Sequence, residues 1–225
     1  MNNHSNRRRN LASDEDADAR IGAFFAISAI LTVVMAAAYI IAPPPNIGIE
    51  EGALAPDIIG ESYSAGTWSD FRLYDVIDRS WEEGQEGEWV FLQFLDTDCG
   101  HCWSAGSEMS QLYSEYGQYA TFISVAVEVV GDGHSKAEIA AFKDKTDREG
   151  CSGNSNCMNR PGEVHPWEYV DALDGKAQSD YGIPGTPFEL LLSPDGVVVW
   201  NSAQGADRGE DIAFGLYHNL VAVEE

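Results

Sequence analysis

A chain of 225 residues with 44% hydrophobic and 11% aromatic side chains holds enough apolar material for one sizeable domain, and this excludes a disordered main body. Its 37 acidic residues outnumber 13 basic ones, for a formal charge of -24. In the first 42 residues Arg7, Arg8, Arg9 and Arg20 offset Asp14, Glu15, Asp16 and Asp18, so the whole excess lies beyond them. Such a surface repels phosphate backbones and excludes nucleic acid as a partner, and it reads as a solvated acidic coat rather than a site for cations.

Residues 21–42 carry no charge over 22 positions. At about 1.5 Å per residue they match the roughly 30 Å hydrocarbon layer, which predicts a transmembrane helix with the lipid bilayer as its partner. Arginines precede it and no Lys or Arg follows before Arg72. The asymmetry puts the N-terminus in the cytoplasm and the rest outside, a single-pass protein of the cell membrane. A signal peptide cleaved near Ala36-Ala37-Ala38 is the alternative, and both readings export the domain. Pro43-Pro44-Pro45 opens a stiff linker. The chain thus divides into a tail (1–20), a membrane helix (21–42), a linker (43–55) and an extracytoplasmic domain (56–225).

Within that domain WVFLQFL, 89–95, is an apolar run that predicts a buried strand, and the stretch from Cys99 predicts a helix with Met109, Leu112 and Tyr113 on its inner face. TFISVAVEVV, 121–130, predicts a second buried strand. Ser135, with Glu138 three residues on, predicts a capped helix through about Arg148. WEYVDAL predicts a short strand, DGKAQSDY a helix ending at Gly182, and FELLL with VVVW a hairpin around Ser193-Pro194-Asp195-Gly196. A last helix is expected after Asp207, with Ile212, Leu216 and Leu220 recurring every four residues. Strands alternating with helices give an α/β fold, a mixed sheet covered on both faces.

Cys99-Gly100-His101-Cys102 follows a predicted strand and opens a predicted helix. Two cysteines three apart on a first helical turn can close and reopen a disulfide. Unpaired N–H groups at a helix start favour an anion, so Cys99 is expected to attack and Cys102, one turn in, to resolve. His101 between them favours the thiolate and thereby the reduced form. A structural disulfide and half of a zinc site are the rival readings of any CxxC.

With these pieces in order, the chain resembles the thioredoxin superfamily, and within it the membrane-anchored TlpA/ResA-like and redoxin group. The resemblance covers about residues 55–205, through Ala55-Pro56-Asp57, the strand before the CxxC, Tyr181-Gly182-Ile183-Pro184-Gly185-Thr186-Pro187 and the turn at Asp195-Gly196. It implies a thioredoxin-like fold, a cis Pro187 against the cysteine pair, and Thr186 offering its backbone to a thiol substrate. Gly100-His101 is similar to the dipeptide of protein disulfide isomerases. The sequence departs from the pattern at Gln93, where an acid is frequent, at Asp98, where Trp is usual, and at Ser107, where a helix-bending Pro is common. Asp96 and Asp98 are expected to raise the thiol pKa, against His101.

Cys151 and Cys157 bracket SGNSN in a polar loop, and in an oxidising compartment they read as a structural disulfide rather than a second redox pair. His134 or His165 added to them would make a metal site, a weaker reading. Trp103 beside Cys102 is expected to line the substrate groove, while Trp68, Trp81, Trp167 and Trp200 read as packing. The leading expectation is a protein-disulfide oxidoreductase that needs no cofactor and no metal, acts on protein thiols and disulfides, and draws on a membrane thiol electron carrier if it works as a reductase. A non-catalytic copper chaperone or binding module is the alternative, because thiolates suit Cu(I).

Overall fold

The computed structural model describes residues 7–41, 46–131 and 133–222, in two compact units, Met1–Pro45 and Asn46–Glu225. In the first unit one helix, α1 (Arg7–Ile41), is described. It starts earlier than the apolar run, because no Gly or Pro between Arg7 and Arg20 stops it. Its Arg20–Ala37 stretch, of mean hydropathy 2.0, is long and apolar enough to cross a membrane by length and composition. Ala42 and the Pro43-Pro44-Pro45 spacer lie outside the described residues.

The second unit is built on a seven-stranded sheet ordered β2-β1-β7-β4-β3-β8-β9. Its centre is parallel: β3 (Trp89–Leu95) pairs with β4 (Ala120–Ala126), and β4 with β7 (Glu168–Asp171). On one flank β8 (Phe188–Leu192) runs antiparallel to β3 and continues into β9 (Val198–Asn201). On the other flank lies a hairpin of β1 (Ile59–Ser64) and β2 (Thr67–Arg72). β3 is apolar almost throughout because both of its faces are covered. Phe91 and Leu95 join Met109, Leu112, Leu216 and Leu220 on one face, while Val90, Leu92 and Phe94 join Ala177 and Tyr181 on the other.

Several elements differ from the sequence reading. The β1/β2 hairpin was not expected; its turn, Ala65-Gly66, takes φ values of 48° and 83°, the left-handed backbone that a tight hairpin needs. The expected linker is folded from Asn46 onward: Gly52 N–H donates to Val198 O at 2.8 Å and Val198 N–H to Ala53 O at 2.8 Å, which extends the sheet edge. The helix after Cys99 is two helices, α2 (Gly100–Ser104) and α3 (Gly106–Tyr116). α4 (Lys136–Asp144) ends before Arg148, because Lys145 turns left-handed at φ 54°. After two short strands, β5 (Glu149–Cys151) and β6 (Ser155–Asn156), and after α5 (Lys176–Tyr181), the chain ends in two helices rather than one. Asn201 caps α6 (Ser202–Arg208), which contains Asp207, and Asp211 caps α7 (Ile212–Leu220).

The insertion between α4 and β7 carries a closed disulfide, Cys151–Cys157, both cysteines fully buried. Its sequence separation of 6 residues sets the size of the constraint. Replacing both cysteines by Ala is expected to lower unfolding free energy by about 2 kcal/mol, the cost of freeing a loop of this length in the unfolded chain. Denaturant midpoints at constant slope check it; an unchanged midpoint would show that the staple adds nothing.

Candidate functional site

β3 leaves the sheet at the end where β8 enters it, with Phe94 opposite Phe188. Four residues beyond Leu95 the chain reaches Cys99, the N-cap of α2, in extended backbone at φ -69°, ψ 117°. One residue before β8 lies Pro187, joined to Thr186 by a cis peptide bond. The two segments meet: the Cys99 thiol donates to the Thr186 carbonyl at 3.1 Å. Cys99 is 5% exposed and Cys102 4%, and both are free thiols. Burial pushes the Cys102 thiol well above its ordinary range, and the neighbouring Cys99 adds to this. His101 is exposed on α2, and Trp103 is half-buried with its ring edge-on to Phe142 at 6.2 Å.

Cys99, Cys102, Thr186 and Pro187 are thus gathered at one place, with His101 and Trp103 on the helix that carries the pair. Cys151 and Cys157 sit apart from them in the insertion, but their loop touches the approach to Cys99, since Ser152 N–H donates to Thr97 O at 3.0 Å. Cys151 and Cys157 are joined in their disulfide and offer no thiolate to His134 or to His165. His165 lies 2.7 Å from Arg160 Nη1 and 2.6 Å from the Tyr169 hydroxyl. Among the described residues no group of three His, Cys, Asp or Glu side chains is arranged to hold a metal ion.

Asp96 is fully buried and satisfied. One carboxylate oxygen accepts from Val129 and Val130 N–H at 2.7 and 2.6 Å, the other from Asp98 N–H at 2.8 Å. Those bonds end β4 at Ala126, because the N–H groups of Val129 and Val130 go to a side chain rather than a strand. His134 lies between two acids, its Nε2 3.4 Å from Asp96 and its Nδ1 3.1 Å from Glu138. Burial opposes its charge, but the Val130 carbonyl, Glu138 and Asp96 together raise its pKa above the ordinary 6.5. Thr97 donates to the same Glu138, so this acid serves the site rather than reaching back to its own helix cap. Burial raises the pKa of Asp98, His134 opposing and Glu138 and Asp96 adding, and its Oδ1 has no hydrogen-bond partner.

One buried acid on the cysteine side of the sheet escaped the sequence reading. Glu189 on β8 stands opposite Gln93 on β3, 4% exposed, with the Gln93 amide 3.4 Å from its Oε1. Apolar FELLL masks it; only the alternation of strand faces would have placed it beside Gln93. Burial pushes it up to about 7, against hydrogen bonds from Gln93 and Ser202. The folded value is above the unfolded one, so the folded state holds the proton more tightly, and stability falls as pH rises from 4.5 toward 7. Glu189→Gln is therefore expected to leave stability near pH 4 almost unchanged and to raise it at pH 8 by about 2 to 3 kcal/mol. Melting curves of both proteins across that range check it, and equal differences at the two ends would rule it out.

The sequence matches no family model and no curated protein. Solved structures do resemble the fold. A thiol:disulfide interchange protein from Bacteroides sp. superimposes with a TM-score of 0.50 at 17% identity, covering 76% of this chain and 91% of that one. The thioredoxin domain of a thiol-disulfide oxidoreductase from Bacteroides vulgatus gives 0.46 at 17%, over 72% and 99%. A reduced 2-Cys peroxiredoxin from Plasmodium vivax gives 0.48 at 14%, over 67% and 70%. With its parallel centre, its terminal hairpin and helices on both faces, the second unit has the thioredoxin-like fold.

Proposed function

We propose that this chain is a membrane-anchored, extracytoplasmic thiol–disulfide oxidoreductase that acts on protein thiols and disulfides through Cys99 and Cys102. The observation that carries the reading is the meeting of Cys99, at a helix start, with the Thr186 carbonyl beside cis Pro187, while Cys102 lies buried one turn behind. Reduced Cys99 attacks a substrate disulfide, forms a mixed disulfide and expels one substrate thiolate. Cys102 then attacks the Cys99 sulfur; the Cys99–Cys102 bond forms as the bond from Cys99 to the substrate breaks, and the Cys102 proton passes to the second substrate thiolate as it leaves. The buried Cys102 thiol holds its proton, so it does not compete for the first attack. The Thr186 carbonyl, in contact with the Cys99 thiol, marks the place where the substrate sulfur must arrive, and Trp103, next after Cys102 on the same helix, is the aromatic side chain assigned to the substrate groove. Run in reverse, the same steps oxidise a substrate dithiol.

Replacing Cys102 by Ser is expected to accumulate a mixed disulfide at Cys99, whereas Cys99→Ser abolishes exchange without trapping. Mass spectrometry after incubation with a disulfide-bonded protein distinguishes them; trapping at Cys102 instead would reverse the assigned roles.

The anchoring reading rests on the hydropathy of Arg20–Ala37 and on the arginines that precede it. Protease added outside intact cells is expected to digest the domain while the N-terminal tail is spared. Digestion only in inverted vesicles would place the domain in the cytoplasm.

A further inference from the structure

No proline stands at the bend, the one-residue break at Ala105, between α2 and α3. Ala105 holds it at φ -70°, ψ -9°, and the position at which the resembling proteins commonly carry Pro is Ser107. The Gly106-Ser107 pair weakens the helix here but, unlike a proline, does not fix the backbone at the break, so a contact from outside can set it. Against this bend lies a strap from the disulfide-closed insertion, residues 160–165.

The strap is anchored by a buried cation. Arg160 is 1% exposed, and its guanidinium ends on backbone carbonyls: Nε on Phe142 O at 2.8 Å, Nη1 on Pro161 O at 3.0 Å, Nη2 on Glu163 O at 2.7 Å. Nη1 also reaches His165 Nε2 at 2.7 Å. A guanidinium only donates, so that nitrogen accepts and the imidazole proton lies on Nδ1, toward the Tyr169 hydroxyl at 2.6 Å; Nε2 then has no proton to give the Gly106 carbonyl 3.2 Å away. The imidazole is neutral, since burial and then the Arg160 charge push it down to about 3.

Two glycines let strap and helix touch backbone to backbone. A Cβ on Gly106 would stand 2.5 Å from Arg160 Nη1 and 2.7 Å from Pro161 O. One on Gly162, at φ +80°, would meet the Gly106 carbonyl and stand 2.7 Å from Ser107 Cα. Ser110 Oγ completes the junction, donating to Gly106 O at 2.8 Å and accepting from Glu163 N–H at 3.0 Å.

We propose that the 160–165 strap holds the α2/α3 bend in place of a proline, and that Arg160 and His165 are thereby positioning residues for Cys102. Gly106 follows Cys102 by four residues, about one helical turn, so the strap sets the pitch of the turn that carries the resolving thiol. This rests on the exchange reading and concerns its second step, in which Cys102 must approach the Cys99 sulfur in line with the bond that breaks.

The test uses the reduced full-length chain in detergent and an aromatic disulfide whose thiolate is coloured. Attack by Cys99 releases one coloured thiolate, and attack by Cys102 on the mixed disulfide releases a second. Gly106→Ala, which forces the strap away, is expected to slow the second release relative to the first by about tenfold or more, as a displacement of an ångström would. Adding Ser107→Pro, tolerated in a first helical turn, is expected to restore the wild-type ratio. Should Gly106→Ala not fold, His165→Gln is put through the same comparison. An unchanged ratio in a folded variant, or no rescue by the proline, overturns the strap and leaves the exchange reading intact. Failure of the wild type to release a second thiolate overturns the exchange reading and the strap with it.

Discussion

Antiparallel pairing of β3 with β8 is the constraint on which the site depends. Phe94 stands opposite Phe188, so the chain leaving β3 and the chain arriving at β8 occupy one corner of the sheet. Cys99 and Thr186 are 87 positions apart in sequence, yet the register leaves the Cys99 thiol 3.1 Å from the Thr186 carbonyl. A register slip of one residue would turn every side chain of β8 to the opposite face. Phe188 and Glu189 oppose that slip, since it would carry the Glu189 carboxyl from Gln93 into the apolar core that Phe188 now fills. Core packing therefore specifies the geometry of the thiols.

The corner is also where the fold concentrates buried polar groups. Asp96 is spared the cost of an unpaired charge because three backbone N–H groups converge on it. Those bonds pull Val129 and Val130 off the end of β4 and leave both exposed beside the cysteine loop. His134 links Asp96 to Glu138, and Glu138 in turn receives Thr97, so α4 is tied to the two residues that precede Asp98 and Cys99. The disulfide loop adds a further tie through Ser152 and Thr97. The approach to the thiol is thus held on three sides by groups that are rigid only as a set.

Long apolar elements were legible in the sequence, and so was the helix start at Cys99. β3, β4, β8 and β9 read as strands because burial on both faces leaves an unbroken apolar run. β1 and β2 did not, since Ile59–Ser64 and Thr67–Arg72 form a polar, half-exposed pair at the sheet flank, where only Ala65-Gly66 signals the turn. Residues 46–55 looked like linker because they join the sheet through isolated backbone bonds rather than a patterned strand. The break at Ala105 was invisible for a different reason. Nothing in GHCWSAGSEM interrupts a helix except Gly106, and what that glycine admits arrives from Arg160 and Pro161, more than 50 positions away.

Each departure from the thioredoxin pattern has a partner in space. Gln93 faces the carboxyl of Glu189 across the β3/β8 pair. Ser107 lies beside Gly162 of the strap. Asp98 sits against Gly131, whose φ of 80° brings the backbone close to its carboxylate, with His134 behind. Glu189 and Arg160 are both buried without an opposite charge as hydrogen-bond partner, one on the sheet and one on the insertion. A core that only had to be stable would gain from apolar residues at both places, because an unpaired buried ionisable group costs more than its hydrogen bonds return. Their cost is borne on the one face of the sheet that carries Cys99 and Cys102, whereas the core on the other side holds Ala177, Tyr181 and the side chains of Val90, Leu92 and Phe94.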